Sequence, residues 1–362
     1  MCIENSNLFS KLLDLNVLYD AFQKCKRNVY WKCSIQSYEA RLLLNLYKLK
    51  KSLKLGKYKQ HPFYEFDICE RGKHRHIKAL HINDRVLQRA LCDQILLPIL
   101  SPYLIYDNGA NVPGKGVDFT KRRFRDHLHH YYQTYHTNKG YILQIDIKSY
   151  FDSMPHDKVV EVMCEHINDT KVCKLIKDLV NSYSETGIGV GIGSQLSQLI
   201  GTYYLHGLDD YIKIVKGYKY YARYTDDMYI IDKDKDKLKQ LLEEIKQILS
   251  QYGLKINEKK TRINKLDRKI PFLKVRYILT DAGKVIMIPS KETFTRERHK
   301  LKFFKKLYDT GEMSFKYIER QFKGWQGTIV PNKNTTINYK SFHSVQNINT
   351  YFNTLYRINE VA

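Results

Sequence analysis

The strongest constraint in the chain is a pair of adjacent carboxylates, Asp226 and Asp227, set between two strand-forming runs. These are Tyr220-Tyr221-Ala222-Arg223-Tyr224 and Met228-Tyr229-Ile230-Ile231. The pattern over 219–231 predicts two short strands joined by a tight turn around Thr225-Asp226-Asp227. Neighbouring like charges raise each other's energy, and a turn alone needs only one of them. A divalent cation removes the repulsion, so the pair points to a metal-binding hairpin tip.

A third carboxylate strengthens that reading. Residues 141–147, Tyr-Ile-Leu-Gln-Ile-Asp-Ile, are apolar and β-branched and predict a strand, with Asp146 near its end. A charge there is costly unless it is paired or binds a cation. If the hairpin packs beside this strand, Asp146, Asp226 and Asp227 converge at one sheet edge. Mg²⁺ prefers oxygen ligands and keeps waters and phosphate oxygens in its shell. Two such ions about 4 Å apart can activate an attacking 3′-hydroxyl and stabilise a leaving pyrophosphate.

The surrounding pattern predicts an α+β chain. A helical stripe, Val86, Leu87, Ala90, Leu91 and Ile95, lies in 80–100, with Asn83 or Asp84 as its cap. Ser153 and Pro155 open a helix carrying Val159, Val160, Met163 and Ile167. Leu238, Leu241, Leu242, Ile245, Ile248, Leu249 and Tyr252 follow helical spacing, and Gly253 is placed to end that helix. The preceding alternation Asp232-Lys-Asp-Lys-Asp-Lys237 reads as a solvated helix start, because it lacks the Gly and closing Glu of a calcium loop. Strand-like runs cover 270–279 and 284–288 around Thr280-Asp281-Ala282-Gly283, and a cationic helical tail starts at 291. The order strand, helix, hairpin, helix, strands implies an antiparallel sheet with helices packed on one face.

The chain's 362 residues carry 61 Lys+Arg against 38 Asp+Glu, a formal net charge of +23 that attracts polyanions, nucleic acid above all. Among its 29 Tyr, many stand beside Lys or Arg, a pairing that can stack on bases and neutralise phosphates. The 43% hydrophobic content excludes wholesale disorder. The absence of any run of 18 or more apolar residues argues against a transmembrane helix. Residues 1–16 lack a continuous apolar stretch, so no secretory signal is expected. Seven cysteines without a CxxC pair fit reduced thiols and argue against a cysteine zinc site or a disulfide framework. The His74/His76 and His127/His129/His130 clusters lack supporting carboxylate or Cys patterns and read as basic or structural.

Several segments together resemble the reverse transcriptases. Tyr224-Thr225-Asp226-Asp227 matches their YxDD box, and Asp146-Ile-Lys-Ser-Tyr-Phe-Asp152 looks like their first catalytic box. Ile192-Gly193-Ser194-Gln195-Leu196-Ser197-Gln198 occupies the place of the usual QGxxxSP box. Gly253-Leu-Lys-Ile-Asn257 with Lys260-Thr261 resembles the next box, and Pro271-Phe272-Leu273 the primer-grip region. Lys73-His-Arg75-His-Ile77 resembles the basic fingers segment. The departure to IGxxxSQ, with Ile192 for Gln and Gln198 for Pro, resembles reverse transcriptases of diversity-generating retroelements.

The resemblance implies a right-hand polymerase of fingers, palm and thumb. An N-terminal region and fingers would span 1–140, the palm 141–290 with part of the fingers interleaved, and a basic helical thumb and tail 291–362. It implies error-prone copying of a template RNA into cDNA, with errors opposite adenine, in mutagenic retrohoming. Two Mg²⁺ ions are implied, with Mn²⁺ able to substitute, held by Asp146, Asp226, Asp227 and the backbone carbonyl of Ile147. Implied partners are an RNA template, a DNA or RNA primer, deoxynucleoside triphosphates and a small basic accessory protein, without a membrane. The setting implied is cytoplasmic, bacterial or phage-encoded.

Further roles follow from the match. Phe151 would sit under the incoming sugar and exclude a ribose 2′-hydroxyl. Lys73 and Arg75 would hold the triphosphate as point charge and planar fork. Lys260 would act as a general acid, as a charge near the pyrophosphate or as a template contact. Gly193 and the small Ser194 and Ser197 would let a helix approach the nascent pair closely, and Ile192 and Gln198 would loosen nucleotide selection. Tyr224, Arg296, Arg298 and Lys302 would contact nucleic acid, the last three through phosphates. Rival readings are another bacterial reverse transcriptase (retron-like or antiphage-defence), a non-catalytic nucleic-acid-binding scaffold, and an RNA-dependent RNA polymerase. The intact set of three Asp disfavours the scaffold, and Phe151 with Tyr224 disfavours the RNA polymerase.

Overall fold

The computed structural model describes residues 7–70, 73–329 and 339–356. It is α+β, as the pattern implies, and divides into two compact units. The first takes the chain through Thr120, then Leu143–Ile231 and Asp236–Arg262; the second takes Lys121–Ile142, Asp232–Lys235 and the chain from Ile263. Among the described residues no helix is long and apolar enough to cross a membrane.

In the first unit, helices Leu15–Lys26, Cys33–Glu39 and Leu42–Lys54 precede an antiparallel hairpin of β1 (Tyr64–Glu70) and β2 (Lys73–Ala79). The helix Ile82–Leu91 follows, and its first turn departs from expectation. The cap is His81, whose Nδ1 accepts from the Asn83 amide, not Asn83 or Asp84. Asp84 is fully buried instead and accepts from the Tyr58 hydroxyl and the His61 amide, with the His61 ring nitrogen 3.0 Å away.

The sheet that matters for function has the order β4-β5-β3-β6. Its strands are β3 (Tyr141–Asp146), β4 (Tyr221–Tyr224), β5 (Asp227–Asp232) and β6 (Arg262–Lys265). β3 carries Ile142, Leu143 and Ile145 into the core and ends on Asp146, as its apolar run predicts. β4 and β5 form the expected hairpin with Tyr224 opposite Asp227, leaving Thr225 and Asp226 as a two-residue turn. Thr225 takes φ +54°, the left-handed conformation such a turn demands.

Helices brace this sheet. The helix expected after Pro155 runs His156–Cys164, with Val159 and Met163 buried. Lys235–Gln251 buries Leu238, Leu241, Ile245 and Leu249 and stops where expected. Gly253 sits at φ +71°, and the amides of Gly253 and Leu254 bond back to Ser250 and Leu249, closing the helix end.

The second unit contains a three-stranded sheet of β7 (Ile270–Phe272), β8 (Val275–Leu279) and β9 (Val285–Pro289). The run 270–279 is therefore two strands, not one. The chain reverses at Leu273 and Lys274, both at positive φ (45° and 66°), without the Gly or Asn that normally marks such a turn. The tail forms helices Lys291–Asp309, Phe315–Ile329 and Tyr339–Tyr356 around a core of Phe294, Leu301, Ile318, Phe322, Ile348 and Phe352. Phe322 and Phe352 stack with centroids 4.3 Å apart.

Candidate active site

Asp146 ends β3, and Asp226 and Asp227 form the corner and first residue of the adjacent β5. Strand order therefore delivers carboxylates distant in sequence to neighbouring strand ends. Asp146 is held from the segment after Gly253. Asn257 donates its backbone amide to the Asp146 carbonyl (2.7 Å) and its side-chain amide to Oδ2 (3.0 Å). A bridge between Ile147 and Ile256, and a bond from the Lys148 amide to the Lys255 carbonyl, extend this clamp.

Lys260 is the focus of the charge. Its Nζ lies 2.8 and 3.0 Å from the two Asp146 carboxylate oxygens. That hydrogen bond, with the fields of Asp146, Asp227 and Asp226, holds the ammonium above the ordinary lysine range. Burial pushes the Asp226 carboxyl up, and the nearby Asp146 charge adds to it. One half-exposed ammonium thus faces the carboxylates of Asp146, Asp226 and Asp227. The cluster's carboxylate donors are hard oxygens, so the set suits a hard divalent cation.

Sequence reasoning missed what fixes the hairpin. Arg223 sits among tyrosines and reads as a phosphate or base neighbour, but it is fully buried. Its Nε and Nη2 donate to the two Asp209 carboxylate oxygens (2.8 and 2.6 Å), Nη2 also to the Thr202 carbonyl, and Nη1 to the Thr225 carbonyl in the turn. The Tyr221 hydroxyl completes Asp209. Burial alone would lower the Arg223 pKa, but Asp209 outweighs it and the guanidinium stays charged. Tyr221 and Tyr229 are equally buried, so these aromatics are core. The one available signal was a strong base inside an apolar strand.

Phe151 lies in a short turn of helix after β3, half-buried. Its ring rests on Gly201, where a Cβ would stand 2.6 Å from the ring edge. Gly201 thus lets the helix Gln195–Tyr203 approach Phe151, while the Tyr150 hydroxyl bonds the Gly201 carbonyl. In the box before that helix, Ser194 and Ser197 hold the local structure together. Both are buried; Ser194 caps the helix by accepting from the Ser197 amide, and both hydroxyls join Tyr183 in one network. Gly193, at φ +124°, abuts Ile77 and the Lys78 carbonyl of β2, so the box loop and the basic hairpin meet. Ile192 is half-buried and the Gln198 side chain exposed. Lys73 pairs with Glu70 and Arg75 with Ile68 in the β1–β2 register; the side chains of Lys73 and Arg75 lie outside the described residues.

Tyr224 is half-buried at the last position of β4. In the second unit, Arg296 and Lys302 are exposed and Arg298 is half-buried on the helix Lys291–Asp309, whose Phe294 and Leu301 face inward.

A sheet presenting paired carboxylates at a hairpin tip beside a third defines a class, and comparison with known proteins names it. The family described as reverse transcriptase (RNA-dependent DNA polymerase) matches residues 56–281, more than half of the chain, and the chain belongs to it. Such enzymes use divalent metal ions. The chain is 35% identical over 78 residues to the "Uncharacterized 91 kDa protein in cob intron" of Schizosaccharomyces pombe, a match covering 20% of this chain and 10% of that protein. Similar solved structures include telomerase from Candida albicans in complex with the TWJ fragment of telomeric RNA, at TM-score 0.49 and 14% identity, covering 82% of this chain and 59% of that one. Apo telomerase from Candida tropicalis gives TM-score 0.45 and 15% identity, covering 82% and 60%. The chain therefore spans about three-fifths of each telomerase chain and a tenth of the curated relative.

Proposed function

We propose that this chain is an RNA-directed DNA polymerase of the diversity-generating retroelement type. It copies a template RNA into error-prone cDNA in a bacterial or phage-encoded system, in the cytoplasm, with a small basic accessory protein. The observation that carries the polymerase reading is the cluster of Asp146, Asp226 and Asp227 around Lys260 at adjacent strand ends. On this reading 1–140 contains the fingers, 141–290 the palm and 291–362 the thumb.

Asp146, Asp226, Asp227 and the Ile147 carbonyl would hold two Mg²⁺ ions, which would lower the pKa of the primer 3′-hydroxyl and neutralise charge on the departing pyrophosphate. The primer oxygen forms a bond to the α-phosphorus of the deoxynucleotide as the bond to the bridging oxygen breaks. Lys260 gives up its hold on Asp146 and supplies a proton or a positive charge to the pyrophosphate. Lys73 and Arg75 on β2 bind the triphosphate, and the abutting Gly193 loop aligns it. Phe151, seated on Gly201, lies under the sugar and rejects a 2′-hydroxyl. Tyr224 supports the primer end, and Arg296, Arg298 and Lys302 grip template–primer phosphates.

Ile192 and Gln198 relax selection, since an isoleucine offers no hydrogen bond to position the incoming nucleotide. The test is sequencing of cDNA made on a mixed RNA template. The wild type is expected to misincorporate opposite adenine, and Ile192→Gln with Gln198→Pro to suppress those errors. The Pro costs one weak bond, from the Gln198 amide to the Ser194 carbonyl at 3.3 Å. An error spectrum without adenine bias, or one unmoved by the double change, would contradict the retroelement subtype. Phe151→Ala is expected to admit ribonucleotides; unchanged discrimination would remove Phe151 from the sugar gate.

A further inference from the structure

We propose a zinc site, away from the carboxylate cluster, formed by Glu165, His166 and His206. One ligand atom from each lies within 4.8 Å of the others. Glu165 and His166 follow the helix His156–Cys164, and His206 opens the helix His206–Asp210. A metal would clip the two segments together. His206 also lies just before Asp209, the buried partner of Arg223, so the clip would brace the support of the hairpin.

The donors are already set for a metal. Nδ1 of His206 lies 3.1 Å from the Tyr203 carbonyl, an acceptor, so this nitrogen carries the proton and Nε2 keeps its lone pair. That Nε2 stands 3.4 Å from Glu165 Oε2. Two zinc ligands at their usual bond lengths in a tetrahedral shell are about 3.4 Å apart. Each imidazole is pinned by a tyrosine face. Tyr203 stacks on His206 at 4.2 Å and 13°, and Tyr103 on His166 at 3.7 Å and 7°. Locked rings of this kind spare a metal the entropy of ordering its ligands.

An independent observation points the same way. The Tyr203 ring is fully buried and its hydroxyl has no hydrogen-bond partner. A buried hydroxyl left unpaired is costly, and the strongest charge acting on it is the Glu165 carboxylate. A water in the fourth zinc position would supply the missing partner. Two imidazoles and one carboxylate with an open position form a familiar zinc set.

Among the described residues the other compact cluster of this kind, His61, His81 and Asp84, is already spent. Asp84 binds Tyr58 and the His61 amide and faces the His61 ring, and His81 Nδ1 caps a helix. No sequence spacing announces the first site, because its third ligand comes from a separate helix.

The test uses the full chain, stripped with chelator and titrated with Zn²⁺ in excess Mg²⁺, with a chromophoric chelator as competitor. One zinc per chain is expected. Its affinity should fall tenfold or more in His166→Ala and in Glu165→Gln, both at accessible positions, and stay unchanged in His61→Ala. Co²⁺ added to the wild type should give the strong visible bands of a four-coordinate site, a readout that needs no variant. Absence of those bands, no retained zinc, unchanged affinity in His166→Ala combined with Glu165→Gln, or loss in His61→Ala instead would overturn the site.

Discussion

Two acidic sites share one hairpin, and the chain treats them oppositely. Asp209 is sealed beneath it, with Arg223 spending its fork on both carboxylate oxygens and Tyr221 adding a third bond. Asp146, Asp226 and Asp227 sit at the open end with one half-exposed Lys260 among them. In the first site every charge is matched and every donor placed, which is what buried charges require. In the second, three carboxylates converge on the Lys260 ammonium, and burial lifts the Asp226 carboxyl above the usual range. Sealed, saturated charge reads as scaffold, and carboxylates converging at strand ends read as a place built to receive a cation.

The largest expected effect tests the open site. Asp226→Asn should cut RNA-templated deoxynucleotide incorporation by about 10⁴-fold, since metal charge stabilisation supplies several kcal/mol. Its denaturant midpoint should hold or rise, because a buried charge is removed. Loss of activity together with loss of fold would erase the contrast between the two sites.

Next comes the sealed site. Arg223→Met should cost about 3–5 kcal/mol in equilibrium unfolding by stranding Asp209, and a second change, Asp209→Leu, should recover most of it. A cost under 1 kcal/mol for the single change, taking as the scale for a weak pair, would show that the pair is not the anchor described.

Lys260→Ala sharpens the comparison from between the sites. It should slow incorporation about 10²-fold, as expected for a lost proton donor or charge. Stability should move by less than about 1 kcal/mol, since the Lys260 end of the pair is half-exposed. Gly201→Ala presses a methyl into Phe151 and should cost about 1–3 kcal/mol by overpacking, with weaker rejection of ribonucleotides.

Glu297 supplies a third case in the second unit. It is buried, its Oε1 lacks a hydrogen-bond partner, and burial raises its pKa. A carboxyl raised on folding contributes stability in full below its unfolded pKa and loses it as pH rises through the folded value. Glu297→Gln should therefore stabilise by about 1 kcal/mol at pH 7, with the gain vanishing near pH 4. Thermal unfolding at the two pH values reads the difference.

What could be read ahead from the sequence follows a physical division. The β4–β5 hairpin, the Asp146 strand and the helix closed by Gly253 were legible because each is specified by neighbours within a few residues. The pairing of Asp209 with Arg223 was not, since it depends on two segments meeting in the core. Nor was the reversal at Leu273 and Lys274, where surrounding structure imposes positive φ on residues that do not seek it. His81 as a cap, and Ser194 and Ser197 tied to Tyr183, belong to the same class: their types suit several roles, and tertiary contacts choose one. At the candidate site the sequence marked the acids, and the fold added what holds them.

The most direct test of the account is primer extension on an RNA template with Mg²⁺, run in parallel for the wild type and for Asp146→Asn, Asp226→Asn and Asp227→Asn. Template-dependent incorporation by the wild type, and its loss in each of the three folded variants, is the expected result. Extension by Asp146→Asn at the wild-type rate would mean that β3 and the hairpin do not share one metal site, and would contradict the central claim.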